Sequence, residues 1–173
     1  MSIYNYVDGK EALLDGLAEA LWERVELAPE KGNWRQVLRS FAVSLRGLAH
    51  AHPLAYGLLC RACLTEPALR TMDVSLTALE RAGLDRRRAA EMLRMLFSYA
   101  VGYGLLELSA ATPTGSTELE RLVSLTRAVP REAPARLIDV ARLIADCDMD
   151  YQFELGLDLI LDGLQRSLKP KRE

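Results

Sequence analysis

Apolar residues recur at three- and four-residue steps along most of the chain, and no stretch alternates with the period of a half-buried strand. Leu13, Leu14, Leu17, Leu21 and Val25 predict a first helix over 10–26. Asp8 and Glu11 open it with capping-box spacing, and Pro29 and Gly32 close it. Asn33 and Gln36 repeat that spacing ahead of Trp34, Val37, Leu38, Phe41, Leu45 and Leu48, the stripe of a second helix. Pro53 suits the first turn of a third helix over 54–64. Pro67 does the same for a fourth, which Gly83 ends as a left-handed C-cap. Asp85 caps a fifth helix that reaches about residue 110. Residues 112–116 read as a loop and 118–128 as a weaker helix, with helix again over 135–145. Asp148 caps a last helix ending near residue 168. The pattern predicts an all-α fold with no internal repeat and no linker between two domains.

Composition points the same way. Leu and Ala supply 54 of the 173 residues, whereas Val, Ile and Thr supply 20, a balance that favours helix over sheet. A formal charge of −2 and a pI near 5.8 provide no net positive field for nucleic acid or anionic lipid. The longest uncharged run in a helical pattern, 95–106, is too short for the ~20 residues of a membrane span. The first ten residues lack the basic flank and apolar core of a signal peptide, and three Cys do not make a disulfide framework. A cytoplasmic protein without membrane contact is the expectation.

Two helices carry more apolar surface than one buried face requires. In the fifth, no charge falls between Arg94 and Glu107. In the last, Phe153, Leu157, Ile160 and Leu164 form one stripe, and Leu155, Leu159 and Leu161 cover much of the rest. Gly102, Gly156 and Gly163 sit inside these helices, where Gly costs ~1 kcal/mol against Ala. Close approach of another helix explains such positions. The expected arrangement is a homodimer whose intersubunit four-helix bundle takes two helices from each chain, with the Phe153 stripe and the three glycines facing the partner. A larger monomeric core is the alternative.

Candidate chemistry is sparse. Cys60 and Cys63 form a C-x-x-C with no second pair and no strand before it, so two buried helical thiols are expected rather than a metal or redox site. His50 and His52, two apart, do not share a helical face. Asp146, Asp148 and Asp150 lack the Gly and Glu of a calcium loop, and Arg86, Arg87 and Arg88 read as a solvated face. No nucleophile triad, phosphate loop or zinc motif occurs. Neither an enzyme, a metal nor a cofactor is expected. The remaining constellation is an interior: Phe41, Leu45, Leu58, Met72, Leu76, Leu93 and Phe97 converge if helices two to five pack together, with Tyr56, Tyr99, Tyr103 and Ser75 nearby as polar handles. An apolar ligand cavity and a filled core both fit this pattern.

The opening Ser2-Ile3-Tyr4-Asn5-Tyr6-Val7-Asp8-Gly9-Lys10-Glu11-Ala12-Leu13-Leu14-Asp15 resembles the junction after the recognition helix in the TetR family of transcriptional regulators. The likeness continues through Trp34 to Leu108, and the stretch from Phe153 to Leu164 resembles that family's last dimerisation helix. The resemblance implies that 1–9 are the remnant of a DNA-binding helix-turn-helix and 10–173 a ligand-binding and dimerisation domain. It also implies that Tyr4, Tyr6 and Lys10 touch DNA phosphates, and that operator reading requires helices this sequence does not include. A regulator that acts as a repressor is the function it implies; a stand-alone dimeric small-molecule-binding module without DNA binding is the alternative. The tetracycline-binding polar positions fall, without gaps, at Glu26, Phe41 and Leu58. An apolar side chain cannot replace an imidazole as a metal ligand, so the implied effector is metal-free and largely apolar, anchored through Ser75 or Arg61.

Overall fold

The computed structural model describes residues 9–29, 33–61, 65–110, 134, 136–137, 139–140, 143 and 148–168. Along them run α1 (Gly9–Trp22), α2 (Trp34–Ala51), a 3-10 helix (Tyr56–Cys60), α3 (Glu66–Arg81), α4 (Arg86–Ala110) and α5 (Met149–Leu168). Residues 136, 137, 139, 140 and 143 are also helical. No strand occurs among the described residues, and none of their helices is long and apolar enough to cross a membrane. Asp8, Cys63, the expected loop at 112–116 and the expected helix at 118–128 lie outside the described residues.

The caps act where the sequence places them. The Asn33 side chain accepts from the Arg35 N–H, and the Gln36 side chain accepts from the Asn33 N–H, so both halves of the capping box are made. Asp85 and Asp148 accept from the N–H groups of Arg88 and Tyr151 at 3.1 and 3.0 Å. Gly83 has φ +102°; its N–H donates to the Glu80 carbonyl while that of Leu84 donates to Leu79. This is the paired closure of a Schellman motif, with Leu79 and Leu84 both buried beneath it.

Two helices differ from expectation. α1 stops at Trp22 rather than near Glu26, because the N–H groups of Glu26 and Ala28 donate to Ser44 and Ser40 of α2 at 2.8 and 2.7 Å. These two hydroxyls, one turn apart on α2, draw the chain out beside it. In the described part of the helix expected over 54–64, residues 54–61, the chain forms a 3-10 turn over Tyr56–Cys60 instead. Tyr56 and Leu59, three apart, are its buried residues, a spacing that suits three residues per turn. The Tyr56 hydroxyl donates to the Ala100 carbonyl at 3.3 Å, and its ring occupies the space beside Gly104, where a Cβ would lie 2.7 Å from Cζ. Cys60 is exposed, not buried as expected.

The core lies between α2 and α4 and is closed by α3 on one side and α5 on the other. Leu38, Phe41, Leu45 and Leu48 meet Leu93, Leu96, Ala100 and Val101, and Leu79 joins them from α3. The stripe assigned to a partner faces this same core: Phe153, Leu157 and Leu164 are buried within the single chain, and Ile160 packs beside them. Gly156 also faces inward, against Tyr99 of α4, so its close approach is within the chain. Gly102 and Gly163 have open space at their Cβ positions. The outward apolar residues of α5 are Tyr151, Leu155 and Leu159, which are 64%, 46% and 60% exposed. Sequence periodicity locates the stripes but not which one faces out. The inward face is the one that buries Phe153, Leu157, Leu161 and Leu164, and the flanking acids agree with it: Glu154 and Asp158 pair with Arg39, and Asp158 and Asp162 with Arg35, on the side of α2.

Candidate functional site

A cavity of about 240 Å³ lies between α2, α3 and α4, lined by Phe41, Met72, Leu76, Ala90, Leu93, Arg94 and Phe97. Amphipathic spacing builds it. Met72 and Leu76 are one turn apart on α3, and Ala90, Leu93, Arg94 and Phe97 follow the i, i+3, i+4, i+7 face of α4. Phe41 closes it from α2. Trp22, at the end of α1, stacks on Phe97 with ring centroids 5.8 Å apart and planes 12° from parallel.

Five residues expected around such an interior, Phe41, Met72, Leu76, Leu93 and Phe97, are brought together here. Four others are not. Leu45 is buried in the core away from the cavity, and Leu58 packs against the core from the 3-10 turn. The Ser75 hydroxyl donates to the Thr71 carbonyl at 2.9 Å, the usual use of a buried helical serine. Arg61 turns toward α1, pairing with Glu11 at 2.7 Å and Asp15 at 2.9 Å, and these carboxylates raise its pKa. The tyrosines serve structure too. Tyr56 donates to Ala100, Tyr99 to the Phe153 carbonyl at 2.8 Å and Tyr103 to the Met149 carbonyl at 2.7 Å. Desolvation by burial raises the Tyr56 pKa and pushes that of Tyr99 up to about 12. Ala90 and Arg94 were missed, although their spacing from Phe97 places both on its face.

A second cluster ties α5 to the body. The Arg46 guanidinium, its side chain 12% exposed, chelates Glu107, 8% exposed, and reaches Asp150 at 2.7 Å. It lies over the rings of Phe153 and Tyr103, 4.7 and 5.5 Å from their centroids. Hydrogen bonds to Glu107, above all, raise its pKa, so it stays charged. His50 Nε2 is 3.4 Å from Glu107. Arg86, Arg87 and Arg88 pair with Glu80, Glu91 and Asp85 on the surface. No cluster of three or more His, Cys, Asp or Glu able to hold a metal occurs among the described residues. Lys10 is exposed at the start of α1, while Tyr4 and Tyr6 lie outside the described residues.

A helical body of this kind matches known proteins. The family model described as "Tetracyclin repressor-like, C-terminal domain" covers residues 28–168. The chain belongs to the TetR family of transcriptional regulators. The HTH-type transcriptional repressor DrrR1 of Streptomyces coeruleorubidus is 30% identical to this TetR-family chain over 185 residues, spanning 99% of the chain and 67% of that protein. Tetracycline repressor protein class C of Escherichia coli is 27% identical over 168 residues, 95% of this chain and 75% of that one. The crystal structure of the TetR-family protein ActR from Streptomyces coelicolor, in complex with actinorhodin, superposes with a TM-score of 0.75 at 25% identity, covering 96% of this chain and 80% of ActR. Of the three positions that the resemblance singles out, Phe41 lines the cavity, Leu58 does not, and Glu26 is exposed.

Proposed function

We propose that residues 10–173 are the effector-binding and dimerisation domain of a TetR-family repressor, and that the effector is a metal-free, largely apolar small molecule seated between α2, α3 and α4. The observation that carries this reading is the cavity: six of its seven lining residues are apolar, and none is a His, a Cys or a carboxylate. The repressor names of two relatives support the direction of regulation. Residues 1–9 then correspond to the end of the family's helix-turn-helix. An effector acts by binding one spacing of the two DNA-binding heads better than the other. A second copy of the chain is the partner for Tyr151, Leu155 and Leu159 on α5 and for Leu105 and Leu106 on α4, all exposed in the single chain. Glu107 and Asp150 meet through Arg46, which joins the end of α4 to the start of α5.

Leu76→Trp tests the cavity. An open cavity accepts the larger ring with little loss of stability, whereas a filled core loses about 1–3 kcal/mol by overpacking. In a thermal-shift screen of hydrophobic compounds, at least one should raise the Tm of the parent and fail to raise that of Leu76→Trp. A marked drop in Tm for the variant, with no compound stabilising the parent, refutes an effector site here.

A further inference from the structure

We infer that the guest of this cavity is an anion, a fused two-ring apolar body bearing one carboxylate, held by the guanidinium of Arg94. The inference rests on the cavity being the effector site and adds the charge and size of what enters it. Arg94 is exposed and is the one charged residue in the lining. Earlier in the same helix, Arg86, Arg87 and Arg88 each have a carboxylate, and Glu91, the nearest acid on α4, is taken by Arg87. Among the described residues Arg94 has no ion-pair partner, so its charge is left unneutralised at the mouth of an apolar space.

An unneutralised cation at such a mouth selects by sign. It repels amines, does little for neutral guests, and offers a carboxylate the planar two-pronged fork that an ammonium lacks. The other lining side chains, Phe41, Met72, Leu76, Ala90, Leu93 and Phe97, take the apolar body. Size follows from volume. An enclosed cavity of ~150 Å³ binds benzene, so about 240 Å³, open on one side, has room for two fused rings.

Calorimetric titration with 2-naphthoate and its neutral counterpart 2-naphthamide tests this. The ratio of their affinities should be about fivefold more favourable to naphthoate in the parent than in Arg94→Gln, the upper range for an exposed ion pair. Arg94→Lys should restore part of the preference, and molar salt should bring the parent ratio toward that of Arg94→Gln. An identical ratio in parent and Arg94→Gln overturns the anionic guest while leaving the cavity occupied. Failure of both probes to bind the parent, or equal binding to Leu76→Trp, removes the effector site and this inference with it.

Discussion

Gly156→Ala isolates the contact that seats α5 on α4. A Cβ at position 156 would overlap the Tyr99 hydroxyl and lie 2.9 Å from its Cζ, closer than real Cβ contacts come. Tyr99 cannot retreat freely, since it donates to the Phe153 carbonyl and stacks on the Phe153 ring at 5.5 Å. Overpacking of this kind costs ~1–3 kcal/mol, and loss of the Tyr99 hydrogen bond adds ~1 kcal/mol. Replacing a helical Gly by Ala returns ~1 kcal/mol. The net is a destabilisation of about 2 kcal/mol, which for a chain of this size lowers Tm by roughly 4–8 °C. Gly47→Ala is the control: it is a helical Gly with nothing within 4 Å of its Cβ, so Tm should rise by ~2–4 °C. Melts at one protein concentration keep any dimer equilibrium constant. In a Tyr99→Leu background, Gly156→Ala should turn from destabilising to neutral or better, because the obstructing ring is gone. Equal Tm shifts for the two glycine variants, or an unchanged effect in the Tyr99→Leu background, would refute the reasoning.

Leu159→Glu should leave the helical circular dichroism of the chain intact, because the side chain is 60% exposed. In sedimentation it should weaken the dimer at least ~tenfold by burying an unpaired carboxylate; a monomeric parent at micromolar concentration would end the assignment of that face. Alkaline stability carries a sign set by Tyr99. Burial holds its pKa near 12 against an ordinary 10, so the folded chain keeps a proton that the unfolded chain releases. Its contribution is complete below pH 10 and is lost between pH 10 and 12. Urea midpoints should therefore fall across that window and fall less steeply in Tyr99→Phe; identical slopes would contradict the burial argument.

The helices with explicit end signals were legible. Asn33 with Gln36, Pro67 with Gly83, Asp85 and Asp148 are local devices, complete within a few residues, and the structure uses each of them. What the sequence concealed depends on partners far along the chain. The early end of α1 is decided by Ser40 and Ser44, and the 3-10 turn by a tyrosine anchored to Ala100. The facing of α5 shows only once α2 and α4 are in place: Phe153 packs on Tyr99, and the acids beside it pair with Arg35 and Arg39, more than a hundred residues earlier. In the cavity, the apolar half was legible because helical spacing repeats it. Arg94 was not, since a charge at the end of an apolar face looks like the face's edge until the neighbouring helix is in place. Ser75 and Arg61 drew attention as polar residues near an apolar interior, yet each is satisfied elsewhere.

Arg39, Ser40 and Phe41 are consecutive residues of α2, and each holds something different: the acids of α5, the chain leaving α1, and the wall of the cavity. A single helical turn is too stiff to move one of these without the others. A shift of this turn as a unit would be felt at once by the cavity wall, by the helix bearing the outward apolar row and by the segment that leads back to α1.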